Sequence, residues 1–272
     1  MPKHRLIATL LVDRGHVVQT RLFKKTNMVG SAFTAVDFFN GWTVDEIVVL
    51  EISDKPDDLP KMKDIVRELS RRCFVPLSVG GKIRDGDLAA HYLRTGADKV
   101  VLNTGAVQQP ELITTIAERF GTQAVMLSVD ASPDPAFPSG YRVVIENAAT
   151  PTNLDAAEWA CEGVTRGAGE ILINSTTHDG NKQGYDLELV RTISKSVAVP
   201  VIAMGGAGKL SDFVDGVLEG GADAVAAGNI FHYFEHSTKK AKEAMAEAGI
   251  PVRSIGFYKI NMPKKPKYRP NW

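Results

Sequence analysis

Only two cysteines occur in the chain, Cys73 and Cys161, and neither belongs to a CxxC pair or a histidine–cysteine cluster. A disulfide framework or a structural zinc site needs paired or clustered thiols, so both are excluded and a cytoplasmic location is the default. Long hydrophobic runs are missing too: no stretch approaches the roughly 18 apolar residues of a membrane span. The apolar run 6–12 follows a basic start, but Asp13-Arg14-Gly15 cuts it short and no small-residue cleavage site follows. It therefore reads as a buried strand rather than a signal peptide. Nor is there an excess of either charge. With 32 Lys+Arg against 32 Asp+Glu, the chain lacks the footprint of a general nucleic-acid or anionic-membrane binder, and any anion must be held locally. The six histidines share no metal-ligand spacing, and no dinucleotide fingerprint or activated nucleophile is present, so no metal or cofactor is expected.

What is present is a regular alternation of short apolar, β-rich runs with longer segments of helical periodicity. The runs 6–12, 47–52, 75–79, 99–103, 124–130, 170–175, 200–204 and 223–228 are near-continuous in Val, Ile, Leu and Ala, as strands buried on both faces must be. Helix ends fall between them. Asp85 and Ser211 read as N-caps, Pro110 as a first helical residue, and Gly96, Gly121 and Gly167 as C-terminal stops. Eight βα units in about 250 residues predict a single (β/α)8 barrel, an α/β fold, better than an open doubly wound sheet.

An internal repeat sharpens this reading. Val75-Pro76-Leu77-Ser78-Val79-Gly80-Gly81 and Gly96-Ala97-Asp98 reappear as Val199-Pro200-Val201 through Gly205-Gly206 and as Gly221-Ala222-Asp223, with Gly80 and Gly205, and Gly96 and Gly221, each 125 residues apart. Glu46 and Glu170, at the starts of the second and sixth strands, keep nearly the same spacing. Two half-barrels of four units each account for it. The barrel is expected over 1–250. Residues 251–272, rich in proline and lysine, are expected as a C-terminal extension outside the repeat.

Active sites of such barrels lie at the C-terminal ends of the strands. There stand Gly80-Gly81 with Asn103-Thr104, and on the opposite side Asp179-Gly180, Gly205-Gly206 and Gly228-Asn229. Glycines at these turns let backbone N–H groups approach an oxyanion, so the paired turns predict two phosphate sites across the mouth. Asp130 ends the fifth strand as an inward carboxylate suited to proton transfer. The repeat calls for a counterpart on the first strand, and the residue there is Leu11. At the other end of the barrel, Arg5, Glu46, Lys99 and Glu170 can close a ring of alternating charge, either a plug or a gate across the axis.

These segments, with Gly167-Ala168-Gly169-Glu170, Gly184-Tyr185-Asp186 and Ile230-Phe231-His232, resemble the HisF family, the cyclase subunit of imidazole glycerol phosphate synthase, from about Arg5 to Arg253. The resemblance implies a barrel paired with a glutaminase (HisH-like) subunit, whose ammonia passes along the axis to a phosphorylated substrate at the mouth. It assigns the gate to Arg5, Glu46, Lys99 and Glu170, and partner contact to Asp98. Of the family's two catalytic aspartates one matches Asp130, whereas the other falls on Leu11; Glu51, Lys82, Gln19, Asn174 and Gly228 are further departures. The same departures resemble a paralogous branch associated with acetamidino sugar modification, which implies a separate amidotransferase-like partner. Three expectations follow: a synthase subunit of that divergent branch, an authentic cyclase of histidine biosynthesis, or a non-catalytic conduit that hands ammonia onward.

Overall fold

The computed structural model describes residues 3–41, 43–53, 59–232 and 236–253; the extension expected over 251–272 lies outside them from residue 254 onward. The first half runs β1 (Arg5–Asp13), β2 (His16–Arg21), β3 (Lys24–Ser31), α1 (Ala32–Gly41), β4 (Glu46–Glu51), α2 (Leu59–Arg72), β5 (Leu77–Gly80), α3 (Gly86–Thr95), β6 (Lys99–Leu102), α4 (Thr104–Gln108) and α5 (Glu111–Phe120). The second runs β7 (Val125–Pro133), β8 (Tyr141–Ile145), β9 (Thr150–Asp155), α6 (Ala156–Thr165), β10 (Glu170–Ser175), α7 (Leu187–Ser196), β11 (Val201–Met204), α8 (Leu210–Leu218), β12 (Ala224–Ala227) and α9 (Ser237–Glu247).

Strands β1, β4, β5, β6, β7, β10, β11 and β12 pair in parallel in that order, and β12 returns to β1, closing the ring. All eight coincide, within three residues at either end, with the apolar runs read from the sequence. This is the (β/α)8 barrel. Period-two alternation sorts the side chains: one parity faces the helices and the other fills the barrel. Along β1 the inward residues are Arg5, Ile7, Thr9 and Leu11; along β4 they are Glu46, Val48 and Leu50; along β10 they are Glu170, Leu172 and Asn174. The interior is consequently layered, with charges at the floor, an apolar belt of Ile7, Val48, Val101, Met126, Leu172 and Ile202, and polar groups at the mouth.

Local chemistry sets the helix ends. Asp85 accepts from the Leu88 N–H at 2.8 Å to cap α3, and Gly96 ends that helix at φ +117°, its N–H reaching the Leu93 and Tyr92 carbonyls. Ser211, in contrast, is not an N-cap: α8 starts at Leu210, and the Gly208 and Lys209 N–H groups donate to the Asp212 carboxylate at 2.7 and 2.8 Å. The acid inside the first turn satisfies the donors that a serine cap would have taken. The half-repeat is structural as well. Asp98 accepts from the Leu77 N–H at 2.8 Å and donates its own N–H to the Leu77 carbonyl, and Asp223 does the same with Val201.

Two features escaped the sequence reading. The β1–α1 and β7–α6 connections each carry an antiparallel hairpin, β2–β3 and β8–β9. At the floor, Lys242 of α9 pairs with Asp45 at 2.7 Å, each side chain 2% exposed, while the other Asp45 oxygen accepts from the Leu6 N–H. This pair pins the last helix to the starts of β1 and β4.

Candidate functional site at the barrel mouth

A cavity of about 680 Å³ opens at the C-terminal ends of the strands. One wall is made by the β5–α3 and β6–α4 turns with Gly81, Lys82, Arg84, Asn103, Thr104 and Gly105. The first hairpin contributes Thr20, Phe23, Lys24 and Lys25, and the second contributes Glu146 and Asn147. The base is formed by Leu11, Leu50, Val101, Ser128, Asp130, Asn174 and Met204, with Asp179 at the far side.

Asp130 is the chemical centre. It sits on the inward face of β7, in register with Asn174 on β10. Asn103 Nδ2 donates to it at 2.9 Å, and the Asn174 side chain beside it also favours its charged form. Burial is the largest influence and pushes its pKa up to about 7; the Asp179 charge adds to the rise, and the two asparagines oppose it. Few groups other than histidine change protonation so near neutrality, and an acid placed there can both accept and return a proton. Leu11 lines the same cavity, so the position from which a second catalytic carboxylate would come is apolar. Neither neighbouring acid replaces it. Asp13 is turned to Lys25 and Arg14, at 3.3 and 3.4 Å, and Glu51 accepts from the Ser53 N–H at 2.8 Å.

A further carboxylate in the mouth is Asp179, read from the sequence only as part of a phosphate turn. Its oxygens take the Thr20 hydroxyl at 3.2 Å and the Phe23 N–H at 2.9 Å, and burial raises its pKa. Asn229 Nδ2 donates to the Thr20 carbonyl at 2.8 Å, so the β2–β3 tip rests on both loops of that side. The tip holds Leu22 and Phe23 at φ +51° and +61°, a pair of left-handed residues usually supplied by Asn-Gly. That unusual choice explains why no turn signal announced the hairpin. Gln19, beside it, is buried and accepts from Asn27 at 3.4 Å.

The glycines divide by role. Gly80 lies within β5 against Val101 and Leu50, where a Cβ would come within 2.7 Å of Val101, so close strand packing requires it. Gly81 lines the cavity at φ +96°, and a Cβ there falls 2.1 Å from the Glu51 carbonyl oxygen. Gly81→Ala should accordingly destabilise the fold by about 2 kcal/mol or more, read as a lower thermal midpoint. On the other side Gly180, Gly205 and Gly206 adopt φ +66°, +88° and +101°, and a Cβ on Gly180 would strike the Thr20 carbonyl at 2.1 Å. A Cβ on Gly228 would fall 3.0 Å from the Thr9 carbonyl oxygen. Thr104 accepts from the Glu146 N–H at 3.0 Å, which leaves its hydroxyl proton free for another acceptor.

At the floor the four charges close as a ring. Arg5 meets Glu46 at 2.6 Å and Glu170 at 2.9 Å; Lys99 meets Glu46 at 3.1 Å and Glu170 at 2.7 Å; the Ser78 hydroxyl adds a bond of 2.7 Å to Glu46. Asp98 is exposed beside this ring, its carboxylate bonded to the Leu77 N–H. Among the described residues no group of three or more His, Cys, Asp or Glu is arranged to hold a metal, and no helix is long and apolar enough to cross a membrane.

Comparison with known proteins places this geometry. A subunit HisF of imidazole glycerol phosphate synthase from Streptomyces griseus is 42% identical over 249 residues, covering 92% of this chain and 98% of that protein. An imidazole glycerol phosphate synthase subunit of Vibrio vulnificus, provisionally named hisF2, is 40% identical over 253 residues, covering 93% and 92%. The family model described as histidine biosynthesis protein matches residues 5–237. A barrel with this mouth, this floor and this kinship belongs to the histidine biosynthesis protein family, among its HisF-like members.

Proposed function

We propose that the chain is the synthase subunit of a glutamine amidotransferase pair, which uses ammonia from a glutaminase partner on a phosphorylated substrate. The observation that carries this reading is Asp130, a buried carboxyl that titrates near neutrality at the base of the mouth, directly above an apolar belt and a charged floor. In this reading the turns at Gly81, Asn103 and Thr104, and at Gly180, Gly206 and Asn229, hold the substrate's anionic ends. Arg5, Glu46, Lys99 and Glu170 gate the axial passage, and Asp98 lies on the partner face. Ammonia attacks an electrophilic carbon of the substrate, and Asp130 as carboxylate takes a proton from the nitrogen and returns it to the leaving oxygen.

Two routes of use divide on Leu11. A cyclase of histidine biosynthesis is the first. The second, supported by Leu11 on the inward face of β1, is a divergent subunit that delivers ammonia toward an acetamidino sugar with a separate amidotransferase-like enzyme. The test is ammonia-dependent turnover of the histidine-pathway bisphosphate by the purified chain beside Leu11→Asp. Turnover by the parent supports the cyclase. A silent parent with activity gained in Leu11→Asp supports the divergent subunit, and silence in both sinks the assignment to this substrate. Where turnover is found, its rate should climb as pH rises through about 7, because Asp130 acts as the base in its ionised form; a flat profile between pH 6 and 8 would count against that role.

A further inference from the structure

Asn174 carries a polar atom that its neighbours in the mouth leave unsatisfied. The residue is 3% exposed and lines the cavity. Its side chain stands beside the Asp130 carboxyl, the two residues being in register across the β7–β10 pair. Its Oδ1 is buried with no hydrogen-bond partner among the described residues, and Gly205 packs against it so closely that an added Cβ would fall 2.1 Å from that oxygen. An amide oxygen left without a donor in a buried site carries its full desolvation cost, so its retention calls for a donor that arrives with a ligand. Only the absence of a side chain at position 205 leaves the oxygen room. The group next to it is a carboxyl. An acceptor oxygen adjoining a carboxyl matches a nitrogen species with several N–H groups, one for each acceptor.

We propose that Asn174 is the receptor for the nitrogen nucleophile: Oδ1 accepts one N–H of ammonia or ammonium as it emerges from the apolar belt, and Asp130 beside it accepts another. The identity of the nitrogen species rests on the functional reading above; the unpartnered acceptor does not. Asn174 in this role is a binding and positioning residue. It holds the nitrogen so that its lone pair, once a proton has gone to Asp130, faces the cavity. Gly205 is part of the same device, because any side chain there would displace the amide.

The test needs no phosphorylated substrate. The charged groups facing Asp130 across the cavity are Asp179, Glu51, Glu146, Lys24, Lys25, Lys82 and Arg84, and all of them feel total ionic strength alike, so equal concentrations of ammonium chloride and sodium chloride separate a specific site from screening. Carboxyl resonances of the full chain labelled with 13C-aspartate, with Asp130 assigned from the Asp130→Asn spectrum, are followed from pH 5 to 9. Ammonium should lower the Asp130 midpoint by about one pH unit relative to sodium, as a cation bound against a carboxylate does. Asn174→Leu should abolish that difference, and Asn174→Ala should do the same if leucine does not fit. Asn174→Thr, which restores an acceptor oxygen, should recover part of it. Equal midpoints in the two salts, or a difference that survives in both Asn174→Leu and Asn174→Ala, would overturn the proposal. Failure of turnover on phosphorylated substrates would strike the functional reading and leave this titration standing, so the two can fail separately.

Discussion

Asp130→Asn should abolish any turnover and at the same time stabilise the protein at alkaline pH. General acid–base groups contribute about 10²–10⁴-fold to rate, so kcat should fall by at least a hundredfold while assembly with the proposed glutaminase partner is kept. The stability effect comes from the same burial. A carboxyl whose pKa is raised to about 7 in the folded state, against about 3.9 unfolded, holds its proton more tightly when folded. It costs nothing below pH 4, and its penalty grows as pH climbs from 4 to 7 and is complete above that. Asparagine removes the penalty and keeps the hydrogen bond to Asn103 through a reoriented amide. Each tenfold difference in proton affinity between the folded and unfolded chain is worth about 1.4 kcal/mol, so a gain of order 1–4 kcal/mol is expected at pH 8 and about a third of it at pH 5. Chemical denaturation at both pH values reads it. Equal stability of variant and parent at pH 8 would show that Asp130 is not destabilised by its surroundings, and full activity of the variant in the assembled pair would leave the barrel as a conduit.

Lys242→Met should be the most damaging single change away from the mouth. It strands the Asp45 carboxylate, 2% exposed, with the Leu6 N–H and an Arg253 guanidinium 3.9 Å away as its remaining company. Breaking a buried pair from one side costs about 3–5 kcal/mol, which in a chain of this size lowers the thermal midpoint by about 6–20 °C. The double change Asp45→Asn with Lys242→Met removes both charges and should recover much of the loss. If the single variant melted with the parent, the pair would be decorative and α9 would be held by its apolar contacts alone.

Why the sequence disclosed some of this and not the rest follows from the residues. Buried parallel strands are apolar on both faces, so all eight barrel strands stood out, and the Gly-Ala-Asp repeat located the half-barrels because Asp98 and Asp223 perform the same backbone service. The four floor charges were legible because a charge at the head of an apolar strand has few places to go. The hairpins were not. β3 is exposed at nearly every position, so it lacks the alternation that marks a half-buried strand, and its turn is made by Leu22-Phe23 instead of glycine or asparagine. Ser211 misled because the acid at Asp212 satisfied the helix donors first. Asp179 was read as a turn residue because spacing alone does not reveal that its side chain shares the cavity with Asp130, and the Asp45–Lys242 contact spans 197 positions, beyond any local pattern.

Closure of the barrel leaves the sheet, among the described residues, with free borders only at the two hairpins, on β3 and β9. Unpaired strand borders are templates for unwanted pairing between chains. Here Lys24 and Lys25 open the first border, and Pro151, which has no N–H to offer, interrupts the second. The mouth thus gains two projecting walls without acquiring a sticky seam, so crowding many copies of this barrel together should not zip them into fibres.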